Sequence, residues 1–324
     1  MPSQQKILKE IKRALARFDK KIPAMQSELY KLMLAEIKRL DTSGDTVKVT
    51  VKNLSILASI KNKLNRLILN PEYRAEVKEF AKAFNSVYAL QFDYWKEADK
   101  TFKPRPLLKA VRNQAITDVV GQLTTQGISA NVSDNLIQIL RTNITAGGSY
   151  KDLAEQLRQS LTNTPESKGI LDRYVKTVAT DSITQFNRAY TNIVSSDLGY
   201  EWYSYGNTEI ETSRPFCQSM VERHNFFHVS QVPDMLKGLW LGARMRYDSN
   251  VKGEGEKTVD IYDKTGLPYG FIAGTNAENF FVRCGGYQCK HSLDPVNVRQ
   301  VPADLVEAVK ETAKYKAWVK VNQK

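Results

Sequence analysis

The side chains that could do chemistry in this 324-residue chain are few, and they cluster. All three cysteines, Cys217, Cys284 and Cys289, fall in the C-terminal half. Cys217 ends the run Thr212-Ser-Arg-Pro-Phe-Cys217, and His228 follows eleven residues later in Phe226-Phe-His228. Cys289 and His291 stand two apart in Arg283-Cys-Gly-Gly-Tyr-Gln-Cys-Lys-His-Ser-Leu-Asp-Pro295. Two thiolates and two imidazoles can surround one zinc ion, which takes sulfur and nitrogen donors in a tetrahedron. The expected set is therefore Cys217, His228, Cys289 and His291. Four protein ligands leave no position for water, so this set describes a structural metal and not a catalytic one. Such a clip would close about seventy residues of loop-rich chain, with folding and metal binding coupled. Cys-x-His is not a familiar paired-ligand spacing, and Cys284 and His224 stand by as alternative ligands. Three free cysteines packed as small hydrophobes, beside surface histidines, are the competing reading. A catalytic thiol would need a positioned base, and no Cys–His pair is singled out by spacing.

Other chemistry finds little support. The chain has no GxxxxGK[ST] phosphate loop and no HExxH pair. Gly253 and Gly255 sit in a mixed-charge loop, not between a strand and a helix. Neither a small-molecule substrate nor an enzymatic activity is expected.

The elements that must position the Cys/His segment are mostly helical. Ile7, Ile11, Leu15, Phe18 and Ile22 recur at helical spacing, Pro23 interrupts, and Met25, Leu29, Met33 and Ile37 resume the pattern. Val47, Val49 and Val51 alternate with lysines in a short extended piece, and a helix is expected over 55–69. Asn70-Pro71-Glu72 reads as cap, first position and acidic first turn of a helix reaching about Lys100. Further helices are expected over 107–126, 132–145, 149–161 and 167–197, with Gly147-Gly-Ser149 supplying a stop and a cap. After Gly199 the texture changes. Tyr200–Tyr205 alternates like a strand, turns and a Gly-rich insertion at 242–270 follow, and Pro302 opens a last helix. The expected class is α+β. The expected divisions are a basic helical arm at 1–105, a helical segment at 106–198, an α+β module at 199–301 and a C-terminal helix at 302–324.

Charge adds a second theme. The chain carries 47 Lys+Arg against 35 Asp+Glu, a net +12. Residues 1–39 hold ten basic and four acidic side chains, so this arm alone supplies about half of that excess. A solvated helix face is one meaning; contact with phosphates, which needs no sequence register, is the other. No apolar run reaches the ~18 residues of a membrane span, and no signal-peptide core precedes the first helix, so production in a cytoplasm is expected.

Several short elements, taken in order, resemble a known family. Asn187-Arg-Ala-Tyr190 closes a helix, and an aromatic strand follows. Arg214-Pro-Phe-Cys217, Phe227-His228, Gly274-Thr-Asn276 and Gly285-Gly-Tyr-Gln-Cys-Lys-His291 then lead to Asp294-Pro-Val296. This order is similar to the C-terminal domain of the phage Mu gpF-like minor head proteins, over about residues 170–300. The resemblance implies a virion structural protein of a tailed bacteriophage head, assembled in the host cytoplasm and acting in head morphogenesis or DNA packaging. It implies partners among portal and major capsid proteins, with genomic double-stranded DNA as a further, non-specific contact. It also carries the four Cys and His positions over to Cys217, His228, Cys289 and His291. The long insertion at 242–270 and the extra thiol Cys284 depart from the family pattern. A metal-dependent DNA-processing enzyme and an ejected internal virion protein are the alternatives to weigh.

Overall fold

The computed structural model describes residues 4–164, 167–206, 214–251, 255–261 and 266–322, with side chains described except at 126, 246–251 and 255–260. Thr212, Ser213 and Gly253, other parts of the insertion at 242–270, and residues 1–3 and 323–324 lie outside the described residues. The architecture is α+β and mainly helical: long helices, then short antiparallel strands and a helical C-terminus.

The helices begin where local chemistry starts them. The first, α1 (Gln4–Asp19), buries Ile7, Ile11, Ala14 and Phe18 and exposes Lys6, Lys9 and Lys12. It is followed by α2 (Ile22–Ile37), with proline in its first turn, and by α3 (Val51–Ile68). The extended piece is shorter than expected, since only Thr42–Ser43 and Thr46–Val47 pair, and α3 already starts at Val51. The cause is Asn53. Its fully buried amide accepts the Asp41 N–H at 2.8 Å and donates to the carbonyls of Asp41 and Lys48 at 3.0 and 2.8 Å. Those bonds satisfy a loop that a longer ladder would otherwise have to satisfy. Thr50 caps the helix by accepting the Asn53 N–H.

Asn70 opens α4 (Pro71–Ala98) by accepting the Tyr73 N–H at 2.7 Å. The chain continues through α5 (Pro106–Thr124), α6 (Asp134–Ala146), α7 (Tyr150–Leu161) and α8 (Ile170–Asp197). A left-handed Gly147 (φ 61°) ends α6, and Ser149 caps α7.

The chain divides into two compact units, and not at 105/106 or 198/199. One comprises 2–90 with 112–183; the other comprises 91–111 with 184–324. The division falls inside α4 and α8 because each is an unbroken helix of 28 residues. In the first unit α2 packs on α7, and α3 on α6, around Leu29, Met33, Ile60, Leu64, Leu140, Leu153 and Leu157.

The second unit takes the C-terminal parts of α4 and α8. They are joined by Gln91, whose Nε2 donates to Asn187 Oδ1 and Thr191 Oγ1 at 2.8 and 3.1 Å, while its Oε1 accepts from Trp95 Nε1. Its centre is an antiparallel sheet of β1 (Trp202–Gly206), β2 (Phe226–His228) and β3 (Ser292–Val296), in the order β2-β1-β3. Strand alternation sorts the side chains. Tyr203, Tyr205, Phe227 and Leu293 enter a core with Phe216, Met220 and Phe280. Trp202 faces a separate cluster with Val301, Val306 and Val309.

Between β1 and β2 lies α9 (Pro215–Arg223). The last helix is two, α10 (Ala303–Glu311) and α11 (Ala313–Asn322). The break is at Thr312, which is extended (ψ 145°) and turns its hydroxyl to accept the Tyr315 N–H. Among the described residues, no helix is long and apolar enough to cross a membrane.

Candidate metal centre

Three of the four expected ligands converge. Among the described residues, donor atoms of Cys217, Cys289 and His291 all lie within 4.8 Å of one another, and the three residues are 1%, 3% and 6% exposed. This buried group can hold a metal ion. Cys289 Sγ stands 3.7 Å from His291 Nδ1. A tetrahedral zinc with S and N bonds of about 2.3 and 2.0 Å separates such donors by about 3.5 Å. The opposite ring atom, His291 Nε2, is buried without a hydrogen-bond partner.

Each ligand is delivered by a local device. Pro215 starts α9, which places Cys217 in its first turn with Phe216 and Met220 anchored in the core. Arg214, just ahead of α9, donates Nη1 to the Gly285 carbonyl at 3.0 Å and Nη2 to that of Tyr287, tying α9 to the segment bearing the other ligands. His291 directly precedes β3 and has the parity of Leu293, which pairs with Tyr205 on the core face.

His228 does not join them. It pairs with Trp202 across β1 and β2, so it takes the face opposite to Phe227. Phe227 goes to the core, and its neighbour must therefore point away. There His228 lies among the rings of Trp202, Tyr315 and Trp318, with centroids 4.8–5.2 Å away. Its Nδ1 accepts the Ser230 N–H at 3.1 Å, which leaves the proton on Nε2, facing Glu201 Oε2 at 3.5 Å. Burial holds its pKa down at about 4. The spare His224 stacks on Trp240 at 4.5 Å and is also no part of the cluster.

Cys284 lies outside that group of three mutually close donors but is linked to it through Tyr205. Its Sγ donates to Tyr205 Oη at 3.3 Å, and that hydroxyl donates to Cys217 Sγ at 3.3 Å. Tyr205 Oη is also 3.9 Å from Cys289 Sγ. Hydrogen bonds from Cys217 and Cys284 hold the Cys289 thiol well below its ordinary range, whereas burial and the bond to Cys289 push Cys284 up. Among the described residues, Cys284 is one of three non-glycine residues with positive φ (48°). A backbone of this kind costs about 1–3 kcal/mol and persists only where its surroundings hold it.

Two further contributors carry no ligand signature in the sequence. Arg188, on α8, is a buried guanidinium whose Nε and Nη2 donate to the His291 carbonyl at 3.0 and 2.8 Å. Nη2 also bonds the Cys289 carbonyl, at 2.5 Å, and Nη1 the Val282 carbonyl, at 3.3 Å. Arg188 stands inside the Asn187–Tyr190 element, where only its place in a helix was legible. Gly285 is the other. A Cβ there would sit 2.4 Å from Cys217 Sγ and 3.1 Å from Cys289 Sγ.

Two outcomes follow from this geometry. Gly285→Ala should destabilise the C-terminal unit by about 1–3 kcal/mol, because the sulfurs must move to admit the methyl group. Thermal melts compare it with Gly121→Ala, where φ is not left-handed and the nearest atom is Thr125 Oγ1 at 4.0 Å. Acid should loosen the packing of α11. An unfolded chain protonates His228 near its ordinary 6.5, but the folded chain resists until about 4. Stability is thus full above about 6.5 and falls as pH drops towards 4. Glu201, directly ahead of β1 and with its pKa raised by burial, and the Lys314–Asp234 pair face the same region. Melts of the protein and of His228→Phe should diverge in slope across that window; parallel curves would show that another group controls it.

Comparison with known protein families, with curated proteins and with solved structures finds no match to this chain.

Proposed function

We propose that this chain is a minor head protein of a tailed bacteriophage, not an enzyme, and that its C-terminal module is braced by one zinc ion on Cys217, Cys289 and His291. The observation that carries the brace is the meeting of three buried donors from segments about seventy residues apart. Sulfur and imidazole donors favour zinc over magnesium or calcium, which prefer oxygen. The virion role rests on the sequence resemblance. It is supported by how the separate elements of that resemblance meet: Arg188 binds the carbonyls of Cys289 and His291, and Arg214 binds those of Gly285 and Tyr287. Elements far apart in the chain thus serve one module.

A metal-dependent DNA-processing enzyme would need a water on the metal within reach of substrate. Donors this deeply buried speak against that reading. The exposed lysines of α1 suit contact with an acidic capsid or portal surface, or with the phosphates of packaged DNA.

Purified protein should contain close to one zinc per chain. Cys217→Ser or Cys289→Ser should lower that content and open the 200–300 region to protease. A metal-free protein with full protease resistance would remove the brace. The virion role is tested by fractionating phage heads and probing for the chain; its absence from purified heads would overturn it. DNA affinity should fall steeply with salt, and deleting residues 1–39 should flatten the slope of log K against log salt. An unchanged slope would assign the arm to a protein partner.

A further inference from the structure

We infer that Cys284 is the fourth ligand, so that the centre is a closed Cys3His site of Cys217, Cys284, Cys289 and His291. The inference rests on the zinc brace proposed above and decides its coordination. Cys284 Sγ lies outside the set of three mutually close donors, but one hydroxyl, that of Tyr205, lies 3.3–3.9 Å from all three sulfurs, so a small side-chain movement brings the third sulfur to the metal position. Cys284 is fully buried and shares the Tyr205 hydroxyl with Cys217. Tyr205 Oη, near all three sulfurs, is placed to donate to a thiolate from outside the metal shell, as second-shell groups do. The other candidates for the fourth position are engaged elsewhere: His228 is on the other face of the sheet with Nδ1 engaged by Ser230, and His224 stacks on Trp240.

Charge gives an independent argument. Arg188 places one full positive charge in the interior beside the cluster, and among the described residues its hydrogen bonds go to neutral carbonyls. A buried charge requires compensation nearby. Zinc with two thiolates and a neutral imidazole is neutral and leaves Arg188 unbalanced. Zinc with three thiolates and a neutral imidazole carries one negative charge, which Arg188 balances. The backbone agrees: the positive φ of Cys284, where glycine would be easier, directs a thiol into the cluster at a conformational cost. On binding, each thiol yields its proton to solvent as its sulfur bonds the metal, so uptake releases protons.

The test uses the full chain loaded with cobalt(II), whose sulfur-to-metal charge-transfer absorption grows with the number of thiolates. Cys284→Ser should lose about a third of that intensity per bound cobalt and bind at least tenfold more weakly, while His228→Phe should leave the spectrum unchanged. Should the serine variant not fold, X-ray absorption of the zinc-loaded wild type needs no substitution: three sulfurs at about 2.3 Å and one nitrogen at about 2.0 Å are expected. Cobalt bound with unaltered intensity in Cys284→Ser, or a shell with two sulfurs, overturns the fourth ligand and leaves the brace standing. Failure of the wild type to take up either metal overturns both.

Discussion

A buried guanidinium sets the terms for the C-terminal unit. Arg188 leaves α8 and reaches the carbonyls of residues 282, 289 and 291, so one side chain holds the loop that bears two of the clustered donors against the long helix. Three carbonyls satisfy its hydrogen bonds but not its charge. In the proposed Cys3His centre, the sulfurs beside it would answer that charge. Removing Arg188 would cost more than its contacts, because the loop would lose its anchor and the sulfurs their counter-charge.

Around this ion the unit is organised by two faces of a three-stranded sheet. One face carries Tyr203, Tyr205 and the cysteine cluster; the other carries Trp202, His228 and the helices after Pro302. The two faces have different chemistry. The first depends on soft donors and a buried cation. The second is an aromatic box around a neutral imidazole, sensitive to protons and not to metal. A small sheet can hold both because alternation separates adjacent residues by its full thickness.

Long helices hold this sheet from one side. α4 and α8 enter the unit joined by Gln91, Asn187 and Thr191, a polar seam that fixes their relative register where apolar packing alone would tolerate sliding. Register matters here because Arg188 lies next to Asn187, and a shift of one turn would carry its guanidinium away from the loop.

Much of this was legible in the chain itself. Helix starts at Asn70 and Ser149, the stop at Gly147, the amphipathic basic first helix and the aromatic strand after Gly199 are written in local chemistry, since caps and periodicity act over a few residues. Cys217, Cys289 and His291 were recognisable as donors of one kind. Which donors meet was a tertiary matter. Phe227 and His228 are adjacent, and nothing local says which faces inward; the pairing of β1 with β2 decided it and sent His228 to the far face. Cys284 seemed a spare thiol until the turn at 284–286 aimed it at Tyr205. Arg188 was one basic residue among many until α8 and β3 were packed together. Residue type determined what chemistry was available, and strand parity with long-range packing determined which residues share it, because those distances are set by contacts about seventy to one hundred residues apart.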